Sequence, residues 1–193
     1  EAWINLIVGG KVVFGENLTD LVGYLYVSDP DAVVLSGGRS RPFSGFEYVN
    51  RLEVWEPATI VFDGDFYTGG MWLDPGADVT VPGELIVVTT GDGDLTTIHL
   101  NSASLHVGLP SRLPEDSYLN LRGAVHIYGD LTVAGIIDAD GNDDIAFDVG
   151  ATFHDDLTLE ATTEFRVAAY GTVAAEYTHI TVLGQLTLDG TLL

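Results

Sequence analysis

The sequence predicts an all-β protein whose short strands stack as a β-solenoid, or as layers of β-arches. Apolar and polar residues alternate with period two over most of the chain, the pattern of half-buried strands. Glycine is frequent, 23 of 193 residues, and it punctuates the alternating runs. A nine-residue unit, apolar-x-apolar-x-Gly followed by an acid or Gln and then apolar-x-apolar, recurs along the chain.

The elements follow in order. "AWINLIVGGKVVF" (2–14) is a nearly uncharged strand-forming run whose only charge is Lys11. "NLTDLVGYLYV" (17–27) is the one stretch with a helical period. Asn17 is placed to cap it, and Leu18, Leu21, Val22 and Leu25 fall on one helical face, so at most one short helix is expected, near residues 17–26. Gly23 and the β-branched end oppose it. "SGGRSRPFSG" (36–45), "VTTGDGDLTT" (88–97) and "GLPSRLPEDS" (108–117) read as surface loops. Strands are expected in "RLEVW" (51–55), "TIVFDGDFYTG" (59–69), "DVTVPGELIVV" (78–88), "AVHIYGDLTVAG" (124–135) and "HITVLGQLTLDG" (179–190).

The repeated unit appears as "VTVPGELIV" (79–87), "VHIYGDLTV" (125–133) and "ITVLGQLTL" (180–188). "IVFDGDFYT" (60–68) is a looser copy, and "TFHDDLTLE" (152–160) has Asp155 where the glycine would stand. A glycine at such a corner turns into left-handed conformations without a Cβ penalty, so Gly129 and Gly184 are expected to be required. The corner intervals are irregular, one to three coils of roughly 20 residues each. The same dipeptides also serve as hairpin turns, so a β-sandwich or jelly roll is the alternative architecture. A single domain over residues 1–193 is expected, with a sub-boundary near 118 and more regular repeats in 118–193.

Composition narrows function. Hydrophobic residues make up 46% and charged residues 19%, which excludes a disordered chain. There are 29 acids against 7 bases, a net charge of −22. That field repels nucleic-acid phosphates and anionic lipid and attracts cations. No apolar run reaches the eighteen or so residues of a membrane-spanning helix, so membrane insertion is not expected. Cysteine is absent, which removes thiol chemistry. The first residue is Glu1, as in a mature form whose signal peptide has been removed or equally in a trimmed chain; of the two the former is the expectation, with an extracellular or cell-surface location.

The segment "EYTHITVLGQLTLDGTL" (176–192) resembles a repeat of bacterial autotransporter passengers and other secreted β-solenoids. Tyr177, Ile180, Val182, Gly184, Leu188, Gly190, Thr191 and Leu192 match that pattern, while Thr178 replaces its usual Asp. The match covers 17 of the 193 residues; it implies a solenoid and export, and no reaction. In its whole character, acidic, cysteine-free and β-rich, the chain resembles archaeal tubular sheath and extracellular filament proteins. That likeness implies polymerisation through sheet edges.

In "DADGNDD" (138–144), Asp138, Asp140, Asn142 and Asp144 alternate as oxygen ligands do in calcium loops. Gly141 stands at the fourth loop position and Val149 at the twelfth, unlike an EF-hand, and a solvated turn accounts for the same residues. The histidines His99, His106, His126, His154 and His179 show no metal-ligand spacing. The acids cluster in turns beside glycine, where solvent keeps them ionised, rather than in the apolar cleft a general acid needs. No enzyme activity, small-molecule substrate or required cofactor is therefore expected, with calcium the one cation the pattern fits.

The expected function is a structural subunit of an extracellular sheath, tube or fibre, a homo-polymer joined through strand edges with cation assistance. Both "AWINLIVGGKVVF" and "ITVLGQLTLDGTLL" lack the lysines, prolines and bulges that blunt edges, apart from Lys11. The alternatives are a calcium-stiffened adhesion module and a carbohydrate-active enzyme on a β-helix.

Overall fold

The computed structural model describes residues 2–6, 11–14, 23–27, 33–36, 51–54, 57–62, 65–89, 95–139, 150–167 and 178–189. All their secondary structure is strand. The chain winds through successive coils, each laying one strand on each of up to three faces. The first coil holds β1 (Ala2–Leu6) and β2 (Lys11–Phe14), and the second holds β3 (Gly23–Val27) and β4 (Val33–Ser36). From the third coil on, described strands lie on all three faces: β5 (Arg51–Val54), β6 (Thr59–Phe62) and β7 (Phe66–Thr68). The fourth is β8 (Gly70–Leu73), β9 (Asp78–Val81) and β10 (Leu85–Val87). The fifth is β11 (Thr96–Asn101), β12 (Ser104–Val107) and β13 (Ser111–Leu113). The sixth is β14 (Ser117–Arg122), β15 (Ala124–Tyr128) and β16 (Leu131–Val133). The seventh is β17 (Ile136–Ala139), β18 (Gly150–Phe153) and β19 (Leu157–Leu159), and the eighth is β20 (Glu164–Val167), β21 (His179–Val182) and β22 (Leu186–Leu188).

Three sheets result. Sheet 1 runs β1-β3-β5-β8-β11-β14-β17-β20, sheet 2 runs β2-β4-β6-β9-β12-β15-β18-β21, and sheet 3 runs β7-β10-β13-β16-β19-β22. The described strand pairs are parallel, as in β11 with β14, β12 with β9 and β19 with β22. This is a β-solenoid; the hairpins of a sandwich or jelly roll would have made antiparallel pairs. The recurring Gly-acid dipeptides therefore mark corners between sheets 2 and 3, and the next strand goes to another face instead of folding back.

Alternation drives the winding. Along the strands from β5 onward every second side chain points inward, and parallel register stacks those side chains on their counterparts in adjacent coils. On sheet 2, Ile60 pairs with Val79, Val79 with Leu105, Leu105 with Ile127 and Ile127 with Phe153. On sheet 1 the ladder is Leu52, Met71, Ile98, Leu119 and Ile137. All ten side chains are buried in one continuous core. Each contributes about 1.5–3 kcal/mol relative to leaving it in water.

The helix expected near residues 17–26 is not formed over its second half. Gly23–Val27 is β3, paired residue for residue with β1 and continuing into β5. Strand pairing on both sides outweighs the local helical period there; residues 17–22 lie outside the described residues.

Candidate functional site

The corners between sheets 2 and 3 explain the acid that follows the glycine. Asp65 Oδ1 accepts the backbone N–H of Glu84 at 3.1 Å, and Asp155 Oδ2 accepts that of Gly129 at 2.7 Å. Asp156 Oδ1 accepts the N–H of Gln185 at 2.7 Å, and Ser111 Oγ accepts that of Leu85 at 2.9 Å. Asp65 and Asp156 thus stitch their coils to the next, and Asp155, which stands in the glycine position, stitches its coil to the one before, each by a charge-assisted bond to a backbone donor. Gly129 has φ +95, and a Cβ there would lie 2.0 Å from the Val107 carbonyl oxygen. Gly184 is required for space rather than for a left-handed backbone: its Cβ would meet the Asp155 carbonyl carbon at 2.5 Å.

Between the fifth and sixth coils the register slips. Ser104 pairs with His126 on sheet 2, whereas Ser111 pairs with Leu131 on sheet 3. Residues 105–110 therefore span the rungs that 127–130 span in the next coil, and the longer corner at exposed Gly108, Leu109 and Pro110 overhangs the shorter one. Beside it opens a groove of about 440 Å³, with His106, Tyr128, Asp130 and Asp155 among its walls.

A column of rings climbs the outer face of sheet 2 at this groove. His106 stacks on Tyr128 with centroids 4.2 Å apart, and Tyr128 stacks on His154 at 3.9 Å. On the adjoining column, His126 reaches diagonally so that its Nδ1 lies 3.2 Å from His154 Nε2. His106 Nε2 stands 3.2 Å from Asp78 Oδ1, an ion-pair distance without hydrogen-bond alignment. Sequence spacing concealed this cluster. His106, Tyr128 and His154 become neighbours only once the unequal coil lengths are known, and the corner at Gly108 lacks the repeat's signature because its glycine comes one position early and Ser111 replaces an apolar residue.

Sheet 1 carries a polar cluster on its outer face. His99, 3% exposed, stacks on Trp72 with centroids 4.0 Å apart. Burial, reinforced by the nearby Arg122 guanidinium and only partly offset by Asp74 and Asn120, lowers its pKa to about 4, so the ring is neutral at pH 7. Asp138, the first of the four expected calcium ligands, is buried on this same face and accepts a hydrogen bond from the Tyr118 hydroxyl. Asn120 links the group by donating to Tyr118 at 3.3 Å and accepting from Arg122 Nε at 3.2 Å. Asp140, Asn142 and Asp144 lie outside the described residues. Among the described residues no three His, Asp or Glu side chains are grouped to hold a metal ion.

The last described coil differs from the one before it. Phe165 stands over Ile137, and Leu186 and Leu188 stand over Leu157 and Leu159, all at inward-facing positions. Ile137 and Leu157 are buried, yet Phe165 is 42% exposed, Leu186 49% and Leu188 47%. Among the described residues Phe165, Val167, Leu186 and Leu188 of this coil form an exposed apolar end face, while Ile180 and Val182 stay partly buried against the core. Compared with known protein families, with curated proteins and with solved structures, the chain matches none.

Proposed function

We propose that this protein is a building block of an extracellular polymer, a sheath, tube or fibre, in which copies stack end to end and continue one another's sheets. The observation that carries this reading is the apolar end face formed by Phe165, Val167, Leu186 and Leu188. A further coil is what such a face accommodates, and a second copy of the chain supplies one. β1 and β2 stand at the opposite ends of sheets 1 and 2 from β20 and β21, so a translated copy extends both sheets with the same parallel sense. A head-to-tail contact made by translation along the sheets does not close on itself and so propagates as a filament. Covering the four side chains yields roughly 1 kcal/mol each, and every new rung hydrogen bond adds about 0.5–1.5 kcal/mol. The net charge of −22 opposes the approach of copies, which is why cations are assigned a helping role.

The test is negative-stain microscopy and light scattering of the purified chain, with and without calcium, beside a Leu186→Lys, Leu188→Lys variant. Both leucines are already half in water, so the variant is expected to fold, as far-UV circular dichroism would verify. Filaments from the parent and discrete particles from the variant are expected. Discrete particles from the parent under all conditions, or filaments from both proteins, would overturn the proposal.

A further inference from the structure

The contact between His126 and His154 lies apart from the end face and has its own chemistry. Two imidazole nitrogens bound to one ion at about 2.0–2.1 Å stand roughly 2.9–3.4 Å apart for angles between a right angle and the tetrahedral angle. His126 Nδ1 and His154 Nε2 are 3.2 Å apart. We propose that this pair chelates one divalent transition-metal ion of the kind that prefers nitrogen ligands, Cu²⁺, Ni²⁺ or Zn²⁺, on the outer face of sheet 2.

Three features support the assignment. The rings are already positioned: Tyr128 stacks on His154 at 3.9 Å and is itself stacked on by His106 at 4.2 Å, so less side-chain freedom is lost on binding. The local sequence is free of competing positive charge, since β9, β12, β15, β18 and β21 contain no Lys or Arg. The chain's net charge of −22 raises the local concentration of cations of every kind, while the imidazole pair selects among them. Hard calcium prefers oxygen, whereas borderline ions favour imidazole, with copper the tightest of the first-row divalent series. Two protein nitrogens leave the other coordination positions to water, so an affinity in the micromolar range is expected rather than that of a four-ligand structural site.

Both nitrogens must present bare lone pairs to the metal, so protons compete with it for the pair. The experiment is a titration of the full chain with Cu²⁺ alone at neutral pH, by calorimetry and by electron paramagnetic resonance. One site per chain with a low-micromolar dissociation constant and hyperfine coupling to two nitrogens is the expected result. His126→Ala and His154→Ala should each weaken it about tenfold or more, while His179→Ala on β21 leaves it unchanged and millimolar calcium does not displace the copper. Neither tested histidine lies in the core, and thermal melts of the variants establish that they are folded. Copper binding that survives the double replacement His126→Ala, His154→Ala, or no stoichiometric site in the parent, would overturn the inference.

Discussion

His99 offers a measurement of what an outward-facing but buried imidazole does to stability. Its pKa is lowered from 6.5 to about 4, first by burial and then by Arg122. In the unfolded chain the ring takes up a proton near pH 6.5, whereas in the folded protein it stays neutral until about pH 4. The unfolded state therefore binds more protons within that window, and folding stability falls as pH drops through it, levelling off below. A separation of about 2.5 pKa units corresponds to roughly 3 kcal/mol over the whole window, and to about 2 kcal/mol by pH 5. The perturbation is His99→Phe, which keeps a ring to stack on Trp72 and removes the ionisation. Urea unfolding of parent and variant would be compared at about pH 7.5 and about pH 5. Carboxylates titrate in both proteins and cancel in the comparison. The variant's acid-induced loss should be smaller by about 2 kcal/mol, equivalent to a melting shift of roughly 4–8 °C for a chain of this size. Equal losses in the two proteins would refute the reasoning.

Gly129→Val should destabilise by about 1–3 kcal/mol or more, because a β-branched residue would have to adopt φ +95 with its Cβ at 2.0 Å from the Val107 oxygen. Gly184→Val should also destabilise, through the clash with the Asp155 backbone and the Asp156 carboxylate, and thermal melts unchanged from the parent would contradict both. Self-repulsion of net −22 predicts a melting midpoint that rises from low to high salt and in millimolar calcium, and identical midpoints in the three buffers would count against it. Filament formation and copper binding complete the set, each judged by the variants already named.

The alternation at Val79, Val81, Val125, Ile127, Ile180 and Val182 was enough to read the inward-facing ladders, because period two is a local property of the chain. The glycine corners were legible because the Gly-acid dipeptide recurs, but the left-handed backbone expected of them holds at Gly129 and not at Gly184, where the neighbouring coil leaves no space for a Cβ. Parallel pairing was not, because a corner and a hairpin turn use similar residues and differ only in where the next strand goes. The ring column needs knowledge of register. Leu105 pairs with Ile127 and Ile127 with Phe153, unequal steps that no fixed period would reveal. His99 and Asp138 occupy positions that alternation assigns to solvent, and their burial belongs to the tertiary structure alone. The helical period around Leu18, Leu21, Val22 and Leu25 misled at Gly23–Val27 because propensity is a weak force beside two parallel partners.

The parallel ladders also set how the molecule would answer mechanical load. Each coil leans chiefly on the one before and the one after, so a pull along the axis would peel coils off in turn instead of shearing the whole body at once. The coils would release unequal lengths of chain, since Phe66 lies beneath Leu85 after a short circuit and Leu157 beneath Leu186 after a longer one. One clamp departs from that nearest-neighbour rule. Arg112 on β13 grips Glu160, just past β19, through two 2.7 Å bonds that reach over β16. It ties the fifth coil to the seventh, so peeling that has reached the seventh coil must open this clasp before it moves inward.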